Sequence, residues 1–184
     1  MMIEEGMSFE EALKIAQEKG YAEKDPTADV EGHDACRKVC ILASLAFGKH
    51  VYPNQVETEG ITNISLEDVS YIENAGGVIK LLGQIKYIND NEIAAFVSPA
   101  VVYNGSQLAS VKDVFNAILV RGDAVGDVCF YGPGAGKLPT ASAVVADIID
   151  CAKHSDRKKI FGWGEGSENY VVDYKEKIEM PFYV

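Results

Sequence analysis

VIKLLGQIKYINDNEIAAFVSPAVVY, residues 78–103, changes the period of the chain. Apolar side chains recur at every second position: Ile79, Leu81, Ile85 and Tyr87, then Ile93, Ala95, Val97, Val101 and Tyr103. Asn89-Asp90-Asn91 interrupts the alternation once. That spacing predicts two long antiparallel strands joined by a hairpin, with one face packed on helices. Working forward, further strands are expected at Val114–Val120 and Asp127–Tyr131. YGPGAGKLPTASAVVADIIDCAK, residues 131–153, then reads as a strand, a glycine loop and a helix with Pro139 in its first turn.

Working backward, Ser65 with Asp68 forms a capping box that opens a short helix ending near Gly76–Gly77. A longer helix is expected from His33 to Phe47, stopped by Gly48. Residues 21–32 read as a loop, with Pro26 and Gly32 as breakers. A first capping box, Ser8 with Glu11, opens a helix through Phe9, Leu13 and Ala16 that ends at Gly20. The fold class that follows is α+β: a mixed, largely antiparallel sheet with helices packed on one face. An uncovered apolar strand face must be buried somewhere, so a homodimer through the sheet is expected.

The 184 residues suffice for a substantial core, and 47% apolar with 24% charged residues is ordinary for a globular chain. A formal net charge of −11 opposes both nucleic acid and an anionic membrane face as partners. No apolar run approaches the ~20 residues that span a bilayer. The start MMIEEGMSFEEAL, residues 1–13, lacks a basic-then-apolar signal pattern, so a cytoplasmic location is expected. Cys36, Cys40, Cys129 and Cys151 form no CxxC pair, and His33, His50 and His154 show no matching ligand spacing. The expectation is therefore no metal site, with the cysteines as small packed thiols.

GYAEKDPTADVEGHDACRKVCILASLAF, residues 20–47, is charged up to Lys38 and then uncharged from Val39 to Phe47. Asp34 and Lys38 stand four apart, so they meet on one helical face. The same stripe continues through Ile41, Leu42 and Leu45, which reads as a helix apolar all round and hence buried. Charges at the start of such a helix are either a structural pair or line a polar cavity. In the second case the carboxylate holds an ammonium in place, and the ammonium can stabilise and protonate an alkoxide forming on a substrate carbonyl. Glu23 and Asp29, just upstream, could meet a substrate ammonium. That set suits an amino-acid-like ligand.

GYAEKDPTADVEGHDACRK, residues 20–38, resembles the signature of the homoserine dehydrogenase family: Gly-Tyr-[Ala/Thr]-Glu, an Asp-Pro pair, then Asp, Gly and Asp, ending in Arg-Lys. The resemblance continues through VETEGITNIS at 56–65, GGVIKLLG at 76–83, VSPAVV at 97–102 and GPGAGKLPTASAVVADI at 132–148. It implies reduction of L-aspartate 4-semialdehyde to L-homoserine, or the reverse, with NAD(P), in threonine and methionine biosynthesis. By the same resemblance Lys38 falls on the catalytic proton donor. Glu23 and Asp34 fall on substrate-binding carboxylates, and Asp29 on a supporting one. Cys36 and Cys40 stand where the family has other small residues and read as packing.

GPGAGK, Gly132–Lys137, is not a P-loop, because three residues separate Gly132 from Gly136 and Leu138 replaces the required Ser or Thr. Nor does it keep the G-x-G-x-x-G spacing of a dinucleotide turn. Taken alone it is a tight strand-to-helix turn. The resemblance implies instead that Gly132, Gly134 and Gly136 let backbone approach the cofactor, and that the following helix returns to a Rossmann domain. No such domain is legible in the chain, so NAD(P) would be bound mainly by an absent N-terminal domain. Residues 1–138 then read as a substrate-binding and dimerisation domain, and 139–184 as the returning helix and tail. MPFYV, 180–184, reads as the opening strand of an ACT-type regulatory domain. The rival expectation is a non-catalytic dimerising or metabolite-binding module on the same scaffold.

Overall fold

The computed structural model describes residues 6–20, 24–134, 136–156 and 162–180. In chain order the helices are α1 (Phe9–Glu18), α2 (Thr27–Val30), α3 (His33–Phe47), α4 (Leu66–Asn74), α5 (Lys137–Lys153) and α6 (Tyr174–Lys177). The strands are β1 (Glu57–Thr58), β2 (Gly77–Asn89), β3 (Glu92–Tyr103), β4 (Phe115–Gly122) and β5 (Gly126–Pro133). The fold is α+β, with a mixed sheet ordered β1-β3-β2 and a separate β4-β5 ribbon. Two residues join β2 to β3, which makes them an antiparallel hairpin. β1 lies parallel to β3, Glu57 opposite Phe96 and Thr58 opposite Val97.

The chain divides into two compact units. One comprises residues 1–25, 65–78 and 101–159; the other comprises 26–64, 79–100 and 160–184.

In the first unit both expected capping boxes form. Ser8 Oγ accepts the Glu11 N–H and Glu11 returns to the Ser8 N–H; Ser65 and Asp68 do the same for α4. Each satisfies two helix-end donors that would otherwise lack partners. Val69 and Ile72 are the buried residues of α4. β4 and β5 pair antiparallel from Phe115 opposite Pro133 to Gly122 opposite Gly126, and Phe115 stacks on Tyr131 at 4.9 Å. No residue of α5 is buried, and Leu138, Val144, Val145, Ile148 and Ile149 are all exposed.

In the second unit α3 packs one stripe onto the sheet. Cys36, Val39, Cys40 and Ala43 join Val51, Val56, Ile93, Ala95, Val97 and Tyr170 in the main core. The expected all-round burial of α3 is corrected here. Its opposite stripe, Asp34, Lys38, Ile41 and Leu45, faces outward, with Ile41 and Leu45 each more than half exposed. The reason is geometric: a single sheet face covers only about a third of a helix's circumference.

Residues Ile93–Val97 of β3 are buried on both faces. Ile93, Ala95 and Val97 point to the α3 core, whereas Ala94 and Phe96 meet Tyr174, Val172, Ile178 and Met180 from the C-terminal segment. That segment is tied down by backbone: the Ile93 N–H donates to the Tyr170 carbonyl at 3.0 Å, and the Val172 N–H to the Ile93 carbonyl at 2.9 Å. The expected loop at 21–32 also needs correction, because Thr27–Val30 closes a turn of helix. The tail reading at 180–184 falls mainly outside the described residues.

Candidate functional site

Asp29, Asp34 and Lys38 lie on one continuous piece of chain in the second unit. α2 carries Asp29 and returns to the α3 start through Gly32: the Gly32 N–H reaches the Asp29 carbonyl at 3.2 Å, and the Cys36 N–H reaches the Gly32 carbonyl at 2.9 Å. α3 then begins with His33 and Asp34. An acidic residue in the first turn complements the positive end of the helix dipole.

The structure brings Asp34 and Lys38 into an ion pair, Lys38 Nζ to Asp34 Oδ2 at 2.7 Å. Their side chains are 45% and 58% exposed, so the pair contributes at most about 1 kcal/mol to stability. Its consequence is positional. The contact favours one position for a long, solvent-exposed ammonium, one turn into a helix whose other face is locked into the core. Lys38 lines neither the concavity beside Gly136 and Thr140 nor the one beside Tyr52 and Gln55. Glu23 lies outside the described residues.

The three glycine candidates belong to the first unit and differ from one another. Gly132 is the next-to-last residue of β5, opposite Asn116, and an added Cβ there would meet nothing within 4 Å. Gly134 donates its N–H to the Val114 carbonyl at 2.8 Å, and a Cβ on it would collide with the Asn116 side chain. The Asn116 side chain is exposed and would have to rotate aside to admit that Cβ. Gly136 caps α5 with φ +115° and without a side-chain hydrogen bond, so only the Lys137 and Leu138 N–H groups of the first turn are uncapped by a side chain: Pro139 has no N–H, and the Thr140 N–H donates to the Gly136 carbonyl at 3.2 Å. An open concavity of about 590 Å³ lies at this helix start, lined by Gly136, Lys137, Thr140, Ala141, Val144 and Gly20. Lys137 and Thr140 were not singled out from the sequence. The available signal was their place in the first turn after the glycines.

The buried thiols behave as packing. Cys40 is pushed up to about 12, first by burial and then by the neighbouring Cys36 thiol. Cys36 directs its thiol toward the Pro53 carbonyl at 3.8 Å. Among the described residues no helix is long and apolar enough to cross a membrane.

A family model described as homoserine dehydrogenase matches residues 1–149. The chain belongs to the homoserine dehydrogenase family. It is 44% identical over 153 residues to the homoserine dehydrogenase of Bacillus subtilis, a match covering 83% of this chain and 35% of that protein. The Synechocystis homoserine dehydrogenase is 47% identical over 152 residues, covering 81% of this chain and 35% of the relative. Among solved structures, a Staphylococcus aureus homoserine dehydrogenase crystallised at pH 7.0 superposes with a TM-score of 0.77 and 44% identity, over 87% of this chain and 41% of that one. The Thiobacillus denitrificans enzyme gives a TM-score of 0.78 at 40% identity, over 94% of this chain and 40% of its own. The chain spans about a third of the length of the curated relatives it matches.

Proposed function

We propose that this chain is the substrate-side part of a homoserine dehydrogenase, acting in the NAD(P)-dependent interconversion of L-aspartate 4-semialdehyde and L-homoserine. The observation that supports it best is the Asp34–Lys38 pair, formed at 2.7 Å in the first turns of α3 within the motif that carries the family resemblance. Glu23, Asp29 and Asp34 are the carboxylates that receive the substrate's amino-acid end. Lys38 is the general acid: its ammonium stands by the aldehyde oxygen, stabilises charge as it develops there and transfers the proton that completes the alcohol. In the reverse direction the neutral amine accepts that proton. Asp34 keeps the nitrogen in place through either transfer.

The start of α5 suits an anionic group of a dinucleotide in chemical terms, with the Lys137 and Leu138 N–H groups free of a side-chain cap and the Lys137 and Thr140 side chains beside an open concavity. Gly132, Gly134 and Gly136 are the glycines that would let backbone approach it. When bound, NAD(P) supplies or takes up the hydride. The dinucleotide is held mainly by the part of the relatives that this chain does not span. Residues 1–138 then serve substrate binding and dimerisation, and 139–184 carry the helix that returns to the nucleotide-binding part. The exposed apolar stripe Leu138, Val144, Val145 and Ile148 supports that role for α5. A homodimer through the sheet and a place in the cytoplasm complete the reading.

The test is steady-state kinetics of the intact enzyme carrying this chain. Lys38→Ala is expected to lower kcat by 10²-fold or more, in the range of general acid catalysis, while raising the KM for aspartate semialdehyde far less. Unchanged turnover would remove Lys38 from the chemistry. Residues 1–184 alone are expected to give no turnover with aspartate semialdehyde and NADPH, because alignment of the two reactants supplies several orders of magnitude of rate. An intact gene product that binds substrate but never turns over would point to the non-catalytic module.

A further inference from the structure

The motif holding Asp29, Asp34 and Lys38 is itself held by something the motif does not contain. Residues 57–61 pass between β3 and the α2–α3 turn. On one side Thr58 pairs with Val97, and the Glu59 N–H donates to the Val97 carbonyl at 2.8 Å. On the other, the Ile61 N–H donates to the Val30 carbonyl at 2.9 Å. Gly60 sits between these two hydrogen bonds and is buried. A Cβ on Gly60 would stand 2.5 Å from the Glu31 Cα and closer still to the Val30 carbonyl oxygen. Both are backbone atoms, so no side chain can rotate away. The α2 turn would have to move.

Gly32 faces the same passage. It holds φ +77° as the residue before α3, a conformation that glycine adopts without steric cost. A Cβ there would meet Thr58 Cγ2 at 3.2 Å and Val97 Cγ1 at 3.3 Å. Two glycines far apart in sequence thus let β1, the α2 turn and the α3 start approach with bare backbone between them.

We propose that Gly60 and Gly32 are positioning residues, whose bare-backbone crossing sets where Asp29 and the Asp34–Lys38 turn stand relative to the sheet. The inference rests on the reading of Lys38 as general acid. A displacement of about 1 Å at a reacting group can cost about 10²-fold in rate. The crossing therefore acts through Asp29, Asp34 and Lys38 without touching substrate.

The test takes Gly60→Ala in two settings. In residues 1–184 the expected result is a set of amide chemical-shift changes concentrated in 26–38, with the Trp163 indole signal unmoved. In the intact enzyme, kcat/KM for aspartate semialdehyde is expected to fall about 100-fold with the cofactor KM unchanged. Shift changes confined to 57–61, or kcat/KM within twofold of the parent, would overturn the proposal. If Gly60→Ala fails to fold, Gly32→Ala with and without Thr58→Ser decides it. Serine keeps the hydroxyl that donates to the Val56 carbonyl at 3.1 Å and removes the methyl that is the nearer of the new Cβ's two side-chain contacts, while the Val97 contact and the φ +77° strain are the same in both variants. Recovery of kcat/KM by threefold or more is expected, and no recovery would overturn it. An unsubstituted intact enzyme without turnover would refute the functional reading instead, leaving the amide shifts alone to judge the crossing.

Discussion

Phe96 is the residue whose loss tests the architecture most directly. It is 2% exposed on the face of β3 turned away from α3, and its ring stacks on Tyr174 with centroids 3.9 Å apart and planes 14° from parallel. Phe96→Ala removes a fully buried aromatic from a small cluster in which, among the described residues, Ala94 and Tyr174 are also buried and Ile88, Val172, Ile178 and Met180 are partly so. Phenylalanine truncations of this kind cost about 3–5 kcal/mol, of which about 0.5–1.5 kcal/mol belongs to the ring pair. The chain has one tryptophan, Trp163, in the same unit, where its ring meets His50 at 5.8 Å. Its fluorescence followed through urea denaturation therefore reports that unit. With a urea dependence of about 2 kcal/mol per molar, the midpoint should fall by about 2 M. Phe96→Leu should cost under about 1.5 kcal/mol. Tyr174→Ala should lower the midpoint too, and the double variant should fall short of the sum by the ring-pair contribution. A Trp163 transition that stays within about 0.3 M of the parent after Phe96→Ala would mean that the C-terminal segment does not close this face, refuting the packing described for residues 170–180.

The remaining expectations concern the core side of α3. Ser44 is 1% exposed; its hydroxyl donates to the Cys40 carbonyl at 2.6 Å and accepts the Val51 N–H at 2.9 Å. Ser44→Ala strands the buried Val51 donor, costing about 1–3 kcal/mol, and thermal unfolding should fall by several degrees. Cys36 and Cys40 should stay unlabelled by iodoacetamide at pH 8 until the protein is unfolded, whereas the exposed Cys151 reacts at once; mass spectrometry of labelled peptides checks it. Burial raises Cys40 to about 12 from an ordinary 9.0, so between those values the folded state keeps a proton that the unfolded state has lost. Stability is then complete below pH 9 and declines as pH rises toward 12, with a slope approaching about 1.4 kcal/mol per pH unit from this thiol. Cys40→Ala should flatten that part of a urea-midpoint profile.

Much of this arrangement is legible in the chain, and the failures share a cause. Capping boxes and helix limits are local, so Ser8–Glu11, Ser65–Asp68 and the span His33–Phe47 follow from a few neighbouring residues. The β2–β3 hairpin follows from period two. Yet IAAFV, residues 93–97, is a continuous apolar run, the mark of a strand covered on both faces. Counting only its alternate members hid the partner at Tyr174. On α3 the opposite error occurs, because Ile41 and Leu45 are apolar without being buried. Composition says what a side chain tolerates, and a single packing face decides what it receives.

The chemistry of the motif is likewise local, while its aim is not. Spacing alone brings Asp34 to Lys38, since four residues make one helical neighbour pair. Spacing says nothing about where that pair stands, because the α2–α3 piece is anchored by backbone from residues 57–61. A glycine there leaves no hydrophobic period and no charge pattern, so although Gly60 lies within the VETEGITNIS stretch, nothing local shows that its missing Cβ is what allows the approach. If catalysis depends on the position of Lys38 to within an ångström, then Gly60, which bears no functional group, governs the rate more strongly than the exposed ion-pair energy of Lys38 itself.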